Sequence, residues 1–364
     1  MDRQDPSLAR LIDRVKHSRE HLQSVEIRGG GTKSFYGRPA TGELLDVTGL
    51  SGISSYEPTE LVVTARAGTP LADLEAALAE HGQSLPFEPP RFAAGGTVGG
   101  MVAAGLSGPS RANVGSVRDH VLGVTLLNGR GEILTFGGQV AKNVAGYDVS
   151  RLMAGSLGIL GVICEVSLKV LPVNRCGATL RFDCDERQAL DQLKCWASQP
   201  LAISGSSWHE GRLHVRIAGA AGAVSAACAK LGGTALDPGA ASAWWFALRD
   251  QTAEFFSPDE SNLSRGECLW RLSVPATAPP LTLPGRQLIE WNGAQRWWRT
   301  TAEGRAVRAA AAEAGGHATL MRAADKSGEV FAALSDVLMR IHRGLKQAFD
   351  PQHVFNRGRL YAEL

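Results

Sequence analysis

Near the start of the chain the apolar side chains fall at Leu8, Leu11, Ile12, Val15 and Leu22, with charged residues between them. That three-and-four spacing predicts a short amphipathic helix over residues 7–22, followed by a strand around 25–28 that runs into glycines. The segment ELVVTA at 60–65 reads as a strand. Beyond it, Thr69 is placed to cap a helix with Pro70 at its first position, Leu71, Leu74 and Leu78 on one face and Gly82 past its end. Two strand-like runs, 121–127 and 132–136, flank Asn128-Gly129-Arg130-Gly131, residues suited to a tight hairpin. Over 162–170 the sequence alternates in the manner of a half-exposed strand, which Pro172 ends.

The texture then changes. All eight tryptophans lie between Trp196 and Trp298, whereas the long glycine-rich runs precede residue 162, so a domain boundary is placed at 173–176. Strand-like pieces (TLRFDC, RLHVRIAG, ECLWRLSV, RQLIEW) alternate with helix-like ones at 185–197, 222–231 and 303–314, an order that suits an antiparallel sheet with helices on one face. Further on, Phe331, Leu334, Leu338, Ile341, Leu345 and Phe349 recur at steps of three and four, predicting a long amphipathic helix halted at Asp350-Pro351.

With 364 residues, 44% of them hydrophobic and 20% charged, the chain has the make-up of a soluble two-domain protein, and disorder and coiled coil drop out. The formal charge of +2 supplies no general field for nucleic acid or an anionic membrane, so any anion site is local. The charged N-terminus lacks the apolar stretch of a signal peptide, and no segment has the length of a membrane span. A cytoplasmic location is expected, with contact to the inner face of the cell membrane only through partners. The six cysteines form no C-x-x-C pair and have no ligand-spaced histidines, so no metal or cluster site is expected and reduced, mostly buried thiols are.

Glycine, 42 of the 364 residues, stands out against a usual share of about 7%. Three stretches concentrate it. The first is Arg28-Gly29-Gly30-Gly31-Thr32-Lys33-Ser34, where consecutive glycines let backbone N–H groups converge on an anion. Thr32 stands where a P-loop needs glycine, and the chain has no complete G-x-G-x-x-G, so ATP hydrolysis and a free-standing NAD-linked dehydrogenase both lose ground. The second stretch contains Gly95, Gly96, Thr97, Gly99, Gly100, Ala103, Gly105 and Ser107; tight turns or helix-on-strand packing are its alternative reading. The third contains Gly155, Ser156, Gly158, Gly161 and Val162. Three such stretches beside strands point to one extended, phosphate-bearing cofactor.

On these motifs residues 24–172 resemble the FAD-binding domain of the vanillyl-alcohol oxidase and p-cresol methylhydroxylase (PCMH) superfamily, including a flavin-adjacent motif at Lys142-Asn143-Val144-Ala145-Gly146-Tyr147-Asp148. Within it the chain is most similar to the shorter FAD-binding subunits of bacterial glycolate oxidases, through HGQSLPFEPPRF (81–92, with Pro89), SLGILGVICEVSLKVLP (156–172), EWNGAQRWW (290–298), GGHATLMR (315–322) and DPQHVFNRGRLY (350–361). The resemblance implies an α+β fold: a two-lobed PCMH-type FAD-binding domain (1–174), an α+β cap (175–320) and a C-terminal helix and tail (321–364) returning to the FAD domain. It implies FAD, bound noncovalently because Thr32 stands where covalent relatives often have His, with Asn356 of the C-terminal motif carried back to the flavin.

The implied function is an FAD-binding subunit of a glycolate dehydrogenase complex, passing electrons from glycolate or a related 2-hydroxy acid to an iron-sulfur subunit beside a larger FAD-binding subunit. The alternative is a non-catalytic assembly or electron-relay subunit. Two departures bear on the choice: Leu157 stands where many relatives that oxidise D-2-hydroxy acids have Glu, and the His-rich segment of catalytic relatives has no counterpart. Among candidate catalytic residues, His317 is a potential base because histidine as a residue type titrates near working pH, while Arg271, Arg296 and Arg322 are potential carboxylate holders. Trp291, Trp297 and Trp298 line either a flavin or subunit face, or the core.

Overall fold

The computed structural model describes residues 5–138, 148–256, 263 and 265–364. Two sheets organise the chain. A five-stranded antiparallel sheet runs in the order Ile53–Glu57, Val62–Arg66, Val162–Lys169, Val121–Leu127 and Ile133–Gly137. An eight-stranded antiparallel sheet carries Thr234–Ala235, Cys176–Asp183, Arg212–Gly219, Ile203–His209, Arg286–Glu290, Gln295–Thr300, Cys268–Ser273 and His317–Arg322 in that order.

In the N-terminal part, helices Leu71–Glu80 and Val98–Ala104 pack with Val63, Ala65, Val124, Val166 and Leu168 into one core. Helix Pro6–Glu20 buries Leu8, Leu11 and Val15 against Val25, Leu45, Val162 and Cys164 in a second. Strand Val162–Lys169 is therefore enclosed, with Ile163 and Ser167 nearly inaccessible, rather than half-exposed as its alternation suggests. A second expectation also shifts. Thr69 does not cap helix Leu71–Glu80; its hydroxyl donates to the Gly52 carbonyl and accepts the Gly52 N–H, both at 3.0 Å. The hairpin forms as read: Asn128 Oδ1 accepts from the amides of Arg130 and Glu132 at 2.9 and 3.0 Å, an Asx turn that closes the loop.

In the second sheet, helices Glu186–Ala197, Ala221–Leu231 and Gly304–Glu313 cover one face. The other face, with Leu269, Leu288, Trp297 and Met321, packs against helix Pro238–Arg249 and against Tyr36, Ala104, Leu106 and Leu157 of the first domain. Arg216 joins the domains through a bidentate ion pair with Glu88 at 2.8 and 2.9 Å. Trp297 lies at this seam, where Trp291 Nε1 donates to the Gly108 carbonyl at 3.0 Å, and Trp298 lies under helix Gly304–Glu313; all three are buried. The tryptophans therefore form no outer face. Of the thiols only Cys164 is buried, which pushes its pKa up to about 12, while Cys195 is exposed.

The C-terminal helix spans Asp336–Phe349, shorter than its periodicity suggests, and Val337, Leu338 and Ile341 face outward. The chain then turns back. Val354 and Phe355 enter the core of the first domain, and Val25 bridges Phe355.

Candidate functional site

The strand Val25–Arg28 is paired in parallel with Glu43–Asp46 and delivers the first glycine stretch to the mouth of an open cleft with about 100 Å³ of internal space. Arg28, Gly29, Gly30, Gly31, Thr32, Lys33 and Ser34 form one wall. Thr97, Gly100 and Ala103 of the second stretch, Leu157 and Gly158 of the third, and Asn356 from the C-terminal turn close it. All three stretches and the C-terminal motif thus meet at one place.

The chemistry of that wall is set by its backbone. Among the described residues, the amides of Gly30, Gly31, Thr32 and Lys33 have no hydrogen-bond partner within the protein, so four consecutive N–H groups are free for an anion. Gly31 has φ +70°, and a Cβ there would meet nothing closer than 3.8 Å, so the backbone is open at that point. Lys33 adds a cation. Burial pushes its pKa down to about 8, with the Asp250 carboxylate opposing the shift, and Nζ donates to Thr32 Oγ1 at 3.3 Å. Arg359 also lines the cleft, its guanidinium held by the Tyr36 carbonyl at 3.2 Å. These residues fit a diphosphate-bearing cofactor such as FAD: amides and cations face the space, and the one wall carboxylate, Glu26, is held by Arg28 at 2.8 Å.

Other glycines serve the walls rather than the space. A Cβ on Gly30 would collide with the Gly95 carbonyl, and one on Gly29 with Thr97 Oγ1, so the first two stretches pack backbone to backbone. Gly99 is not on the cleft wall; a Cβ there would lie 2.6 Å from the Ala67 methyl, so its missing side chain lets helix Val98–Ala104 pack closely on Ala67. Gly105 caps that helix in a left-handed conformation. Gly155 and Leu157 satisfy the helix-end carbonyls of Val102 and Ala103 at 3.0 and 2.9 Å. Gly96 lies behind Thr32 and Lys33, and Ser156 Oγ accepts from the Gly158 amide at 3.4 Å. Pro89, Ser107, Gly161 and Val162 are likewise away from the cleft: Ser107 accepts from the Val117 amide, Gly161 packs on the Leu127 carbonyl, and Val162 is core. Of the flavin-adjacent motif, residues 142–147 lie outside the described residues; Asp148 caps the short helix Val149–Leu152.

Asn356 is the clamp of the site. It is 3% exposed, its Oδ1 accepts from the Ile27 amide at 2.8 Å, and its Nδ2 donates to the Leu157 carbonyl at 2.6 Å. One side chain therefore ties the first stretch to the third. Gly158 must be glycine beside it, because a Cβ would lie 2.7 Å from Nδ2 and φ is +75°.

The candidate catalytic residues separate. Arg296 is a correction: it is fully buried, and it donates to the carbonyls of Gly293, Ala278 and Pro279 and to Glu186 Oε1 at 2.8–3.4 Å. With its guanidinium engaged in the interior of the second domain, it does not reach the cleft. Arg322 does face the first domain, turned by a β-bulge between strands Cys268–Ser273 and His317–Arg322 so that its guanidinium lies 4.0 Å from the Phe35 ring centre. Its Nε is buried without a partner. Arg271, one strand in, donates to the Tyr36 hydroxyl at 3.1 Å. His317 opens the edge strand, and burial together with the charge of Arg271 lowers its pKa, favouring the neutral ring. Sequence reasoning missed Tyr36, Arg359 and Lys326. Lys326 donates to the carbonyls of Phe35 and Met321, with a pKa that burial lowers to about 8. Only the density of cations in GRLY and around MRAADK hinted at Arg359 and Lys326.

Residues 7–137 match the FAD binding domain family. Over 354 residues the chain is 48% identical to the glycolate oxidase subunit GlcE of Escherichia coli (strain K12), covering 97% of both chains. It is 36% identical over 144 residues to a D-lactate dehydrogenase of Anaerostipes hadrus and 32% identical over 155 residues to the glycolate oxidase subunit GlcD of Bacillus subtilis (strain 168). Those two matches span 39% and 42% of this chain but only 29% and 33% of the relatives. Among solved structures the fold is similar to alkyldihydroxyacetonephosphate synthase, with a TM-score of 0.64 at 13% identity over 96% of this chain and 75% of that one.

Proposed function

The chain belongs to the family of the glycolate oxidase subunit GlcE, a family of FAD-binding oxidoreductase subunits, and from that premise we propose that it is an FAD-binding subunit of a glycolate dehydrogenase complex. In this reading glycolate or a related 2-hydroxy acid is oxidised to the 2-oxo acid, and the electrons pass to an iron-sulfur subunit that assembles with this chain and a larger FAD-binding subunit. The observation that carries the cofactor assignment is the run of four free amides from Gly30 to Lys33, flanked by Lys33 and Arg359 on the wall of one cleft. FAD bound there supplies a two-electron acceptor.

The protein's own residues then have distinct tasks. The amides and Lys33 hold the diphosphate, and Asn356 keeps the two loops closed around it. Arg271 and Arg322, on the sheet face that meets the FAD domain, bind the substrate carboxylate, and the neutral imidazole of His317 accepts the hydroxyl proton. Contact with a membrane is through the partner subunits; among the described residues no helix is long and apolar enough to cross one.

Anaerobic mixing of the FAD-loaded chain with glycolate tests the reading: bleaching of the flavin band is the expected result. Leu157 on the cleft wall, in place of the Glu of many oxidising relatives, favours the alternative of a non-catalytic assembly or relay subunit. For that reading the isolated chain stays yellow and only the assembled complex turns over. Acid precipitation should release intact FAD, as noncovalent binding requires. A colourless protein that cannot be reconstituted with FAD overturns both readings.

A further inference from the structure

Helix Asp336–Phe349 turns Val337, Leu338 and Ile341 outward, and Lys346 alone of its residues is fully buried. Met339, Leu345 and Phe349 pack partly buried against the first core, and an ion pair is added to them at the C-terminal end. Lys346 Nζ donates to the Ile159 carbonyl at 2.7 Å, to Asp350 Oδ2 at 2.8 Å and to the Phe355 carbonyl at 2.9 Å, which uses all three of its protons. Asp350 is fully buried as well, and its carboxylate accepts from the amides of Val354 and Phe355, both at 2.9 Å. The turn from 350 to 355 is therefore wound around one ion pair.

Both ends of that network stop beside the cleft. Ile159 follows Gly158 on the third glycine stretch, and Phe355 precedes Asn356. The hairpin turn closes the far side: the Gly129 amide donates to the Phe349 carbonyl at 2.9 Å, and a Cβ on Gly129 would lie 2.9 Å from Asp350 Cα. Stability alone is a poor reason for such a pair, since well-packed apolar residues often serve a core as well or better. Its geometry supplies another reason, which is register between two walls.

We propose that the buried Lys346–Asp350 pair is a positioning element of the FAD cleft, holding the third glycine stretch and the Asn356 turn at the separation at which Asn356 bridges Ile27 and Leu157. The proposal rests on the cofactor reading above only for its flavin readout.

The test uses the full chain, with and without FAD. In Lys346→Met, hydrogen exchange at the Ile27 amide of the FAD-free protein should speed up on the order of tenfold, and the FAD dissociation constant should rise on the order of tenfold, as expected when buried polar partners are orphaned. Exchange in strand Val121–Leu127 should not change. Asp350→Asn, which keeps an acceptor for the turn amides, should move both readouts in the same direction by less, and it carries the test if the lysine variant does not fold. A folded variant whose Ile27 exchange and FAD affinity both stay within about twofold of the wild type overturns the proposal. If the wild type itself binds no FAD, the cofactor reading fails, and Ile27 exchange still decides the positioning role.

Discussion

The two walls that meet at the domain seam are made of opposite materials. On the FAD side the groups proposed to work are backbone amides, and the N–H groups of Gly30 and Gly31 have no partner within the protein. On the cap side the proposed groups are guanidinium groups, Arg271 and Arg322, set against Tyr36 and Phe35 by strand register and one β-bulge. A backbone site is encoded locally, residue by residue. A side-chain site on a sheet depends on which strands neighbour each other, and Arg271 owes its position to pairing with Trp297 on one side and Thr319 on the other.

The contrast can be broken from either wall. The largest effect is expected for Gly30→Val: the side chain collides with the Gly95 carbonyl, so FAD retention through gel filtration should be abolished while the second domain keeps its near-ultraviolet tryptophan spectrum. Flavin retained at full occupancy would mean that the loop is only a turn. From the other wall, Arg271→Met should leave flavin content intact and reduce glycolate-driven bleaching by roughly a hundredfold, the size of a lost charge-assisted carboxylate contact. Equal loss of flavin and bleaching would erase the division of labour.

Asn356→Ala should fall between the walls. It orphans the Ile27 amide and the Leu157 carbonyl at a cost of about 2 kcal/mol, so FAD affinity should weaken by about thirtyfold in a fluorescence titration. The smallest effect concerns pH. Lys33 binds an anion only as a cation, so affinity for FAD should fall by about tenfold as pH rises through about 8, and Lys33→Met should flatten that profile. Stability runs the other way. Between about 8 and the ordinary lysine value of 10.5 the unfolded chain binds more protons than the folded one, so the FAD-free protein should gain stability across that window, and less so in the Met variant.

Much of the first wall was legible in the chain. RGGGTKS follows a strand, and its lack of side chains is visible in the letters; what the letters do not reveal is that Gly29 and Gly30 are needed to pack on residues 95–97 as well as to face a ligand. Gly99 shows the same limit, since helix packing on Ala67 and ligand contact demand the same residue type. Strand Val162–Lys169 misled because half-exposed alternation and burial under two different cores look alike until the layers are assembled. Arg296 misled because a buried structural arginine and a carboxylate-binding one carry the same charge.

What the sequence determined by itself is the set of local constraints: the glycine stretches, the hairpin at Asn128-Gly129, the two domain textures and the Asn356 motif, each fixed by backbone conformation within a few residues. What only the tertiary structure decided is which of these share a space. Arg271, Arg322, Tyr36 and Arg359 meet because the eight-stranded sheet packs one face on the FAD domain and the C-terminal turn re-enters its core. Such proximity depends on contacts between residues 187 and 329 positions apart, as in the Lys346–Ile159 and Asn356–Ile27 hydrogen bonds, and no local pattern encodes it.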